Sequence, residues 1–289
     1  MERSEAVAVC GAGWMGAGIA QVFATNGFPV KLYDVNAGAT EGALASIRKR
    51  LEKSVASGHC TSEEAEAASA QLDGVSDIAA LEGSSFVVEA IVESLDAKRA
   101  LFAALESACG PETVLATNTS TLSVTEIASV LNDSGRAIGM HFFNPAHRNK
   151  LVEVIPGYET RQNVIDRTFG LSRAAGLSPV QVTESPGGIV SRLQLIVRNE
   201  AVRMVAEGVA SPEDIDAAMR IGSGWPVGPL EVTDLVGLDV HVINSDSMSD
   251  ELGTDRFRPH PLLRKMVRAG HLGRKSGRGF FDYSEGGER

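Results

Sequence analysis

Residues 6–34 constrain the fold more than any other stretch of the chain. Ala6-Val-Ala-Val-Cys10 reads as a short apolar strand, Gly11-Ala-Gly-Trp-Met-Gly16 as a tight turn, and Ala17 to Thr25 as a helix. Val30-Lys-Leu-Tyr-Asp34 is a second strand that ends on an acid, eighteen residues past Gly16. Strand, glycine turn, helix, strand and acid together make a complete βαβ unit. In such a unit the first glycine permits the turn, the second admits a pyrophosphate close to the backbone, and the third lets helix pack on strand. The start of the helix offers unpaired N–H groups and partial positive charge to phosphates. Gly11, Gly13 and Gly16 are therefore expected dinucleotide contacts. Asp34 is expected to accept hydrogen bonds from both adenosine ribose hydroxyls. Its charge repels a 2′-phosphate, and neither Val35 nor Asn36 neutralises one, so NAD is expected rather than NADP.

Further strands are expected at Phe86–Val92, Thr113–Asn118 and Ala137–Phe142, separated by helical stretches over 37–57 and beyond 62. Thr61 or Ser62 is the expected N-cap of the second of these, with Glu64 nearby. Strands alternating with helices imply a doubly wound, mostly parallel sheet. The character changes near Ser185-Pro-Gly-Gly188. From Ile189 the apolar positions recur at helical spacing and no convincing strand follows. The expectation is α/β: a Rossmann-like doubly wound domain over 1–185, then an all-helical domain over 186–289.

The 289 residues suffice for two such domains. A net charge of −10 argues against a nucleic-acid partner. Eight Arg or Lys and no acid fall between Arg256 and Arg278, which reads as a solvated face except at Lys275. No apolar run approaches the ~20 residues that span a bilayer, and residues 1–5 do not read as a leader peptide. Cys10, Cys60 and Cys109 have no metal-ligand spacing, so no metal is expected. They read as reduced thiols of a cytoplasmic protein, Cys10 as a small core residue.

The chemistry is expected at Gly139-Met-His-Phe-Phe-Asn-Pro145 and Lys150-Leu-Val-Glu-Val-Ile155. His141 lies on an apolar strand, and Glu153 lies twelve residues later on what reads as the next strand. A carboxylate on one ring nitrogen fixes the tautomer and leaves the other nitrogen as a directed base. Asn118-Thr-Ser120 follows the C-terminal end of a strand, where open α/β sheets bind ligands. Ser120 is therefore expected to donate to a substrate oxygen beside His141. Oxidising a secondary alcohol with NAD needs such a base and donor, with a nicotinamide facing the carbinol hydrogen.

These residues closely resemble the 3-hydroxyacyl-CoA dehydrogenase family. The matching motifs, in order, are Gly11-Ala-Gly-Trp-Met-Gly-Ala-Gly18, Val88-Glu-Ala-Ile-Val-Glu93, Ala116-Thr-Asn-Thr-Ser120, His141-Phe-Phe-Asn-Pro145, Lys150-Leu-Val-Glu153, Ser185-Pro-Gly187, Gly228-Pro-Leu230 and Gly273-Arg-Lys-Ser-Gly277. The resemblance implies NAD-linked interconversion of 3-hydroxyacyl and 3-oxoacyl thioesters, and a helical domain that pairs subunits into a homodimer. It implies His141 and Glu153 as catalytic dyad, Ser120 on the substrate oxygen, and Asn144 near the histidine. It places Glu93, Lys98 and Asn118 with the cofactor, and Lys275 reaching it from the second domain.

Two departures from the family pattern bear on the substrate. The family usually reads Pro-Gly-Phe-Ile-x-Asn-Arg where this chain has Pro186-Gly-Gly-Ile-Val-Ser191-Arg192. Ser191 is shorter than asparagine and cannot make the same two-pronged contact, which implies an altered acyl pocket, one with room for an extra polar group. The family often reads Glu-Lys-Gly-Lys near its coenzyme A clip, where this chain has Ala56-Ser-Gly-His59. Arg48-Lys-Arg50 either substitutes there or is a solvated helix face. The leading expectation is a short 3-hydroxyacyl thioester of coenzyme A. The alternatives are the same chemistry on a carrier-protein thioester, as for polyketide extender units, or on another polar hydroxy acid, and a non-catalytic NAD-binding protein on a retired fold.

Overall fold

The computed structural model describes residues 5–284, and the chain divides into two compact units that part after Ser185. In the first unit, eight strands form one sheet in the order β3-β2-β1-β4-β5-β6-β7-β8. They are β1 Val7–Cys10, β2 Val30–Tyr33, β3 Leu72–Val75, β4 Phe86–Glu89, β5 Val114–Thr117, β6 Ala137–Phe142, β7 Leu151–Pro156 and β8 Ser178–Gln181. β1 to β6 are mutually parallel, β7 pairs antiparallel with β6, and β8 pairs parallel with β7. The helices are α1 Trp14–Thr25, α2 Ala37–Ala56, α3 Ser62–Ala70, α4 Leu95–Ala108, α5 Val124–Ala128 and α6 Gln162–Ala174.

Every residue of β1, β4, β5 and β6 is buried, because helices cover both faces of the sheet. That is why these strands read as unbroken apolar runs. Ile19, Val22 and Phe23 of α1 pack into the same core as Val7, Val9, Val30 and Leu32, with Phe23 and Phe28 meeting edge to face. The strand order runs outward in opposite directions from the β1–β4 boundary, so a crevice opens beyond the C-terminal ends of those two strands. α3 begins with a capping box in which Thr61 and Glu64 satisfy each other's backbone N–H groups.

The structure adds two strands that the sequence reading lacks. β3 is a half-exposed outer strand, Leu-Asp-Gly-Val, and β8 is a largely exposed one containing Pro179. Edge strands bury little and tolerate Gly and Pro, so their apolar pattern is faint. The strand expected over 86–92 stops at Glu89, whose own Oε1 accepts from the Ile91 N–H at 2.7 Å and turns the chain outward.

The second unit contains α7 Val190–Ala206, α8 Pro212–Ser223, α9 Pro229–Val236, α10 Leu238–Glu251 and α11 Pro261–Arg268. Its described residues hold no strand, only isolated bridges linking Gly273, Arg278 and Asp282. α8 ends on Gly224 in the left-handed conformation. Two buried aspartates serve as internal caps: Asp216 accepts from the Leu230 and Glu231 N–H groups at the start of α9, and Asp234 accepts from the Phe280 and Phe281 N–H groups. Burial raises both carboxyls above the usual aspartate range.

Candidate active site

The glycine turn sits at the crevice beyond β1 and β4. A Cβ on Gly16 would lie 1.8 Å from the Gly11 carbonyl oxygen, and one on Gly11 would lie 2.6 Å from that of Ala90. The turn closes only because both side chains are missing. Gly13 instead faces open space with nothing within 4 Å of an added Cβ, at the N-cap of α1, which has no side-chain cap. A phosphate would fill that cradle and take the unpaired N–H groups of the first helical turn. Asp34 arcs back to the same turn: its Oδ2 accepts from Ala12 N at 2.9 Å and its Oδ1 from Asn36 N at 3.0 Å. Each oxygen keeps a lone pair for a ribose hydroxyl. The residues present fit a dinucleotide.

β6 and β7 place the second group of residues. Their antiparallel register sets His141 directly opposite Glu153, so both side chains lie on one face of the sheet. His141 Nδ1 is 2.9 Å from Glu153 Oε2, and the two side chains are 6% and 0% exposed. A carboxylate only accepts, so Nδ1 is inferred to carry the hydrogen and Nε2 to present a lone pair. Ser120 Oγ lies 3.0 Å from that Nε2. Phe143 packs against the ring at 4.5 Å. Asn118 Oδ1 accepts from the Phe142 N–H at 2.8 Å and so fastens the end of β5 to the end of β6. Base, hydroxyl and glycine turn all emerge from C-terminal strand ends, the ligand-binding edge of such a sheet.

Beneath the Ser120 loop lies an ionic network absent from the sequence reading. Lys98, which the resemblance places with the cofactor, is fully buried. Its Nζ is 2.7 Å from Glu89 Oε1 and 3.2 Å from Glu93 Oε2. Glu89, also fully buried, accepts from Thr117 Oγ1 at 2.6 Å, and burial raises its carboxyl. The signal was an acid inside the apolar run Phe86-Val-Val-Glu89, a residue that a core does not bury unpaired.

The other expected site residues have partners of their own. Asn144 follows His141 by three residues, and its Oδ1 accepts from the indole N–H of Trp14 at 2.7 Å. Arg50 is no simple solvated residue. It donates from Nε to Gln21 Oε1 at 2.7 Å and from Nη1 to Ser46 Oγ at 2.9 Å, and its guanidinium stacks 5.7 Å from the Trp14 ring centroid. Trp14 itself, inside the glycine turn, was passed over in the sequence, yet its 61% exposed indole joins these elements. Within the second unit Lys275 pairs with Asp239 at 2.5 Å, and Ser191 is half-buried in the first turn of α7. In the basic run of 256–278, acids pair with Lys275 and with three of the arginines. Arg258 meets Asp246, Asp250 and Asp255, Arg264 meets Asp246, and Arg274 meets Glu231. Cys10 is fully buried and burial raises its thiol, as suits a core residue. Among the described residues no cluster of His, Cys, Asp and Glu could hold a metal, and no helix is long and apolar enough to cross a membrane.

Comparison with known proteins agrees with this geometry over both units. Residues 6–185 match the family described as "3-hydroxyacyl-CoA dehydrogenase, NAD binding domain", and residues 187–283 match "3-hydroxyacyl-CoA dehydrogenase, C-terminal domain". A probable 3-hydroxybutyryl-CoA dehydrogenase of Bacillus subtilis is 43% identical, covering 96% of this chain and 97% of that protein. The 3-hydroxyadipyl-CoA dehydrogenase of Escherichia coli is 44% identical over 98% of this chain, which spans 60% of that longer protein. The crystal structure of (S)-3-hydroxybutyryl-CoA dehydrogenase from Ralstonia eutropha superposes with a TM-score of 0.94 at 36% identity, covering 98% of this chain and all of that one.

Proposed function

The chain belongs to the 3-hydroxyacyl-CoA dehydrogenase family and is an NAD-dependent oxidoreductase acting on a CH–OH group, and on that premise we propose that it interconverts short 3-hydroxyacyl and 3-oxoacyl thioesters of coenzyme A with His141 as the general base. The observation that carries this reading is the contiguous set Glu153, His141 and Ser120, with its hydrogen bonds of 2.9 and 3.0 Å. Bound NAD supplies the hydride acceptor. His141 Nε2 takes the hydroxyl proton, while Glu153 keeps the ring oriented and offsets the charge of the imidazolium. Ser120 turns its O–H from the imidazole to the substrate oxygen and holds it beside Nε2 as negative charge develops there. In the reverse direction the imidazolium returns the proton to the alkoxide.

The choice of coenzyme A as carrier is supported by uncompensated positive charge. Arg50 is stacked on Trp14, and burial first, then Arg50 and Arg148, hold His147 below the usual imidazole value. Neither arginine has an ion-pair partner among the described residues. Arg50 on an exposed indole, with His147 and Arg148 in electrostatic reach of one another, suits the phosphates and adenine of a nucleotide carrier. Ser191 is proposed to line the acyl pocket, Asn144 to touch the substrate through its remaining amide group, and Asn118 to contact the cofactor. The second unit exposes Leu193, Leu235 and Ile243 at 58–65%, which supports a homodimer formed through that unit.

The test is a comparison of NADH oxidation with acetoacetyl-CoA and with the same acyl group on a carrier protein. We expect turnover on the coenzyme A thioester, and a raised KM for it, but not for acetoacetyl-pantetheine, in Arg148→Gln. A large preference for the protein-borne acyl group would refute the carrier assignment, and no turnover on either would refute the reaction.

A further inference from the structure

We propose that Glu93 is a positioning residue for Ser120, clamped from below by Lys98, so that the ion pair under the loop sets the geometry of the reacting hydroxyl. The inference rests on the dehydrogenase reading above. Glu93 precedes α4. Its Oε1 accepts from the Ser120 N–H at 3.1 Å and from Thr119 Oγ1, with the Thr121 N–H at 3.5 Å. Its Oε2 faces Lys98 Nζ at 3.2 Å. The same Nζ reaches Glu89 Oε1 and the Asn118 carbonyl at 3.3 Å, and Glu89 in turn holds Thr117. Thr117, Asn118, Thr119 and Ser120 are thus all fastened to two carboxylates and one ammonium. Thr119 Oγ1 also accepts from the Leu122 N–H at 3.0 Å and closes the loop.

Burying Glu89 and Lys98 costs desolvation, and an apolar filler would pack their volume more cheaply, while Glu93 keeps 40% of its side chain exposed at the edge of the loop. What the ions add is direction. They point the backbone of 117–121 so that Ser120 Oγ falls 3.0 Å from His141 Nε2. The Ser120 N–H is consumed by Glu93, so the hydroxyl is the donor this residue has left for a substrate oxygen. No bond joins Glu93 to His141 directly, and its influence on the base passes through Ser120. A misplacement of about 1 Å at a reacting group can cost on the order of 10² in rate.

A double-mutant cycle tests this. Glu93→Ala is expected to lower kcat by about ten- to a hundredfold, Ser120→Ala by about a hundredfold or more, and the double variant no further than Ser120→Ala alone, within about twofold, since both act through one hydroxyl. Glu93→Gln keeps an acceptor oxygen for the loop and is expected to recover most of the lost kcat. Losses that multiply in the double variant would overturn the proposal. So would an unchanged kcat in Glu93→Ala, whatever its KM for NADH. Should Glu93→Ala fail to fold, Thr119→Val removes the hydroxyl partner of the same carboxylate and enters the same cycle. Should the wild type show no turnover, the NMR resonance of the His141 imidazole decides separately. Glu93→Ala shifts it as Ser120→Ala does if the clamp holds the hydroxyl, and an unmoved resonance overturns the clamp.

Discussion

His241 makes the second unit acid-labile, by an amount that its surroundings define. The side chain is fully buried on α10, with Nε2 2.8 Å from Asn199 Oδ1. Asn199 Nδ2 donates to the Phe257 carbonyl at 2.8 Å, which fixes the amide so that its oxygen faces the imidazole. Nε2 is therefore the protonated nitrogen, and the buried Nδ1 has no hydrogen-bond partner. A second proton would place an unpaired charge in the core, next to the buried Arg198. Burial first, and that arginine second, depress the imidazole to about 3 from its ordinary 6.5. A depressed histidine contributes stability that is complete above the unfolded value and is lost as pH falls from there toward the folded one. At pH 5 the unfolded chain binds the proton and the folded chain does not. The gap of about 1.5 pH units below the ordinary value, at ~1.4 kcal/mol per unit, removes about 2 kcal/mol relative to pH 7.5. His241→Gln can still donate to Asn199 but has no proton to gain. Urea unfolding of wild type and variant at both pH values isolates the effect, because every other titration cancels in the difference. The stability advantage of wild type over variant should shrink by about 2 kcal/mol between pH 7.5 and pH 5. The same advantage at both pH values would refute the buried, neutral imidazole.

Three further outcomes are expected. His141→Ala should lower turnover by on the order of 10²–10⁴-fold while NADH affinity, measured by fluorescence titration, stays near wild type; a small loss would send the proton elsewhere. Gly16→Ala, whose methyl meets the Gly11 carbonyl, should weaken NADH binding by at least about tenfold, or ~1.4 kcal/mol; unchanged binding would show that the turn yields without cost. Ser191→Asn should shift the kcat/KM ratio toward plain 3-hydroxybutyryl thioesters over acyl groups carrying a polar end, and an unchanged profile would remove Ser191 from the acyl pocket.

How far the site could be read in advance depended on the kind of pattern that carried it. The glycine turn and Asp34 share one βαβ unit, so local spacing alone marks them. His141 and Glu153 stood out as polar residues on apolar strands, and the ladder between β6 and β7 explains their spacing. Lys98 and its two acids gave no joint signal, because only the stacking of β4, β5 and α4 brings positions 89, 93, 98 and 117 together. Asn144 and Arg50 were assigned by analogy with a family pattern, and an aromatic residue at position 14 draws both side chains to itself. The basic run from Arg256 looked unpaired because its acids lie on other helices, at Glu231, Asp239, Asp246 and Asp250. The outer strands β3 and β8 escaped notice because a strand that shelters little needs few apolar residues.

The reversal of direction at β6 and β7 leaves the connecting segment beyond Phe143, residues 144–150, free of any duty in aligning proton acceptor with anchor. Their alignment is guaranteed by rungs of main-chain bonding on either side. A lineage could lengthen, shorten or recompose that segment to suit new acyl groups without retuning the acid–base pair. A slip of a single rung, by contrast, would turn the glutamate to the opposite surface and silence the enzyme outright.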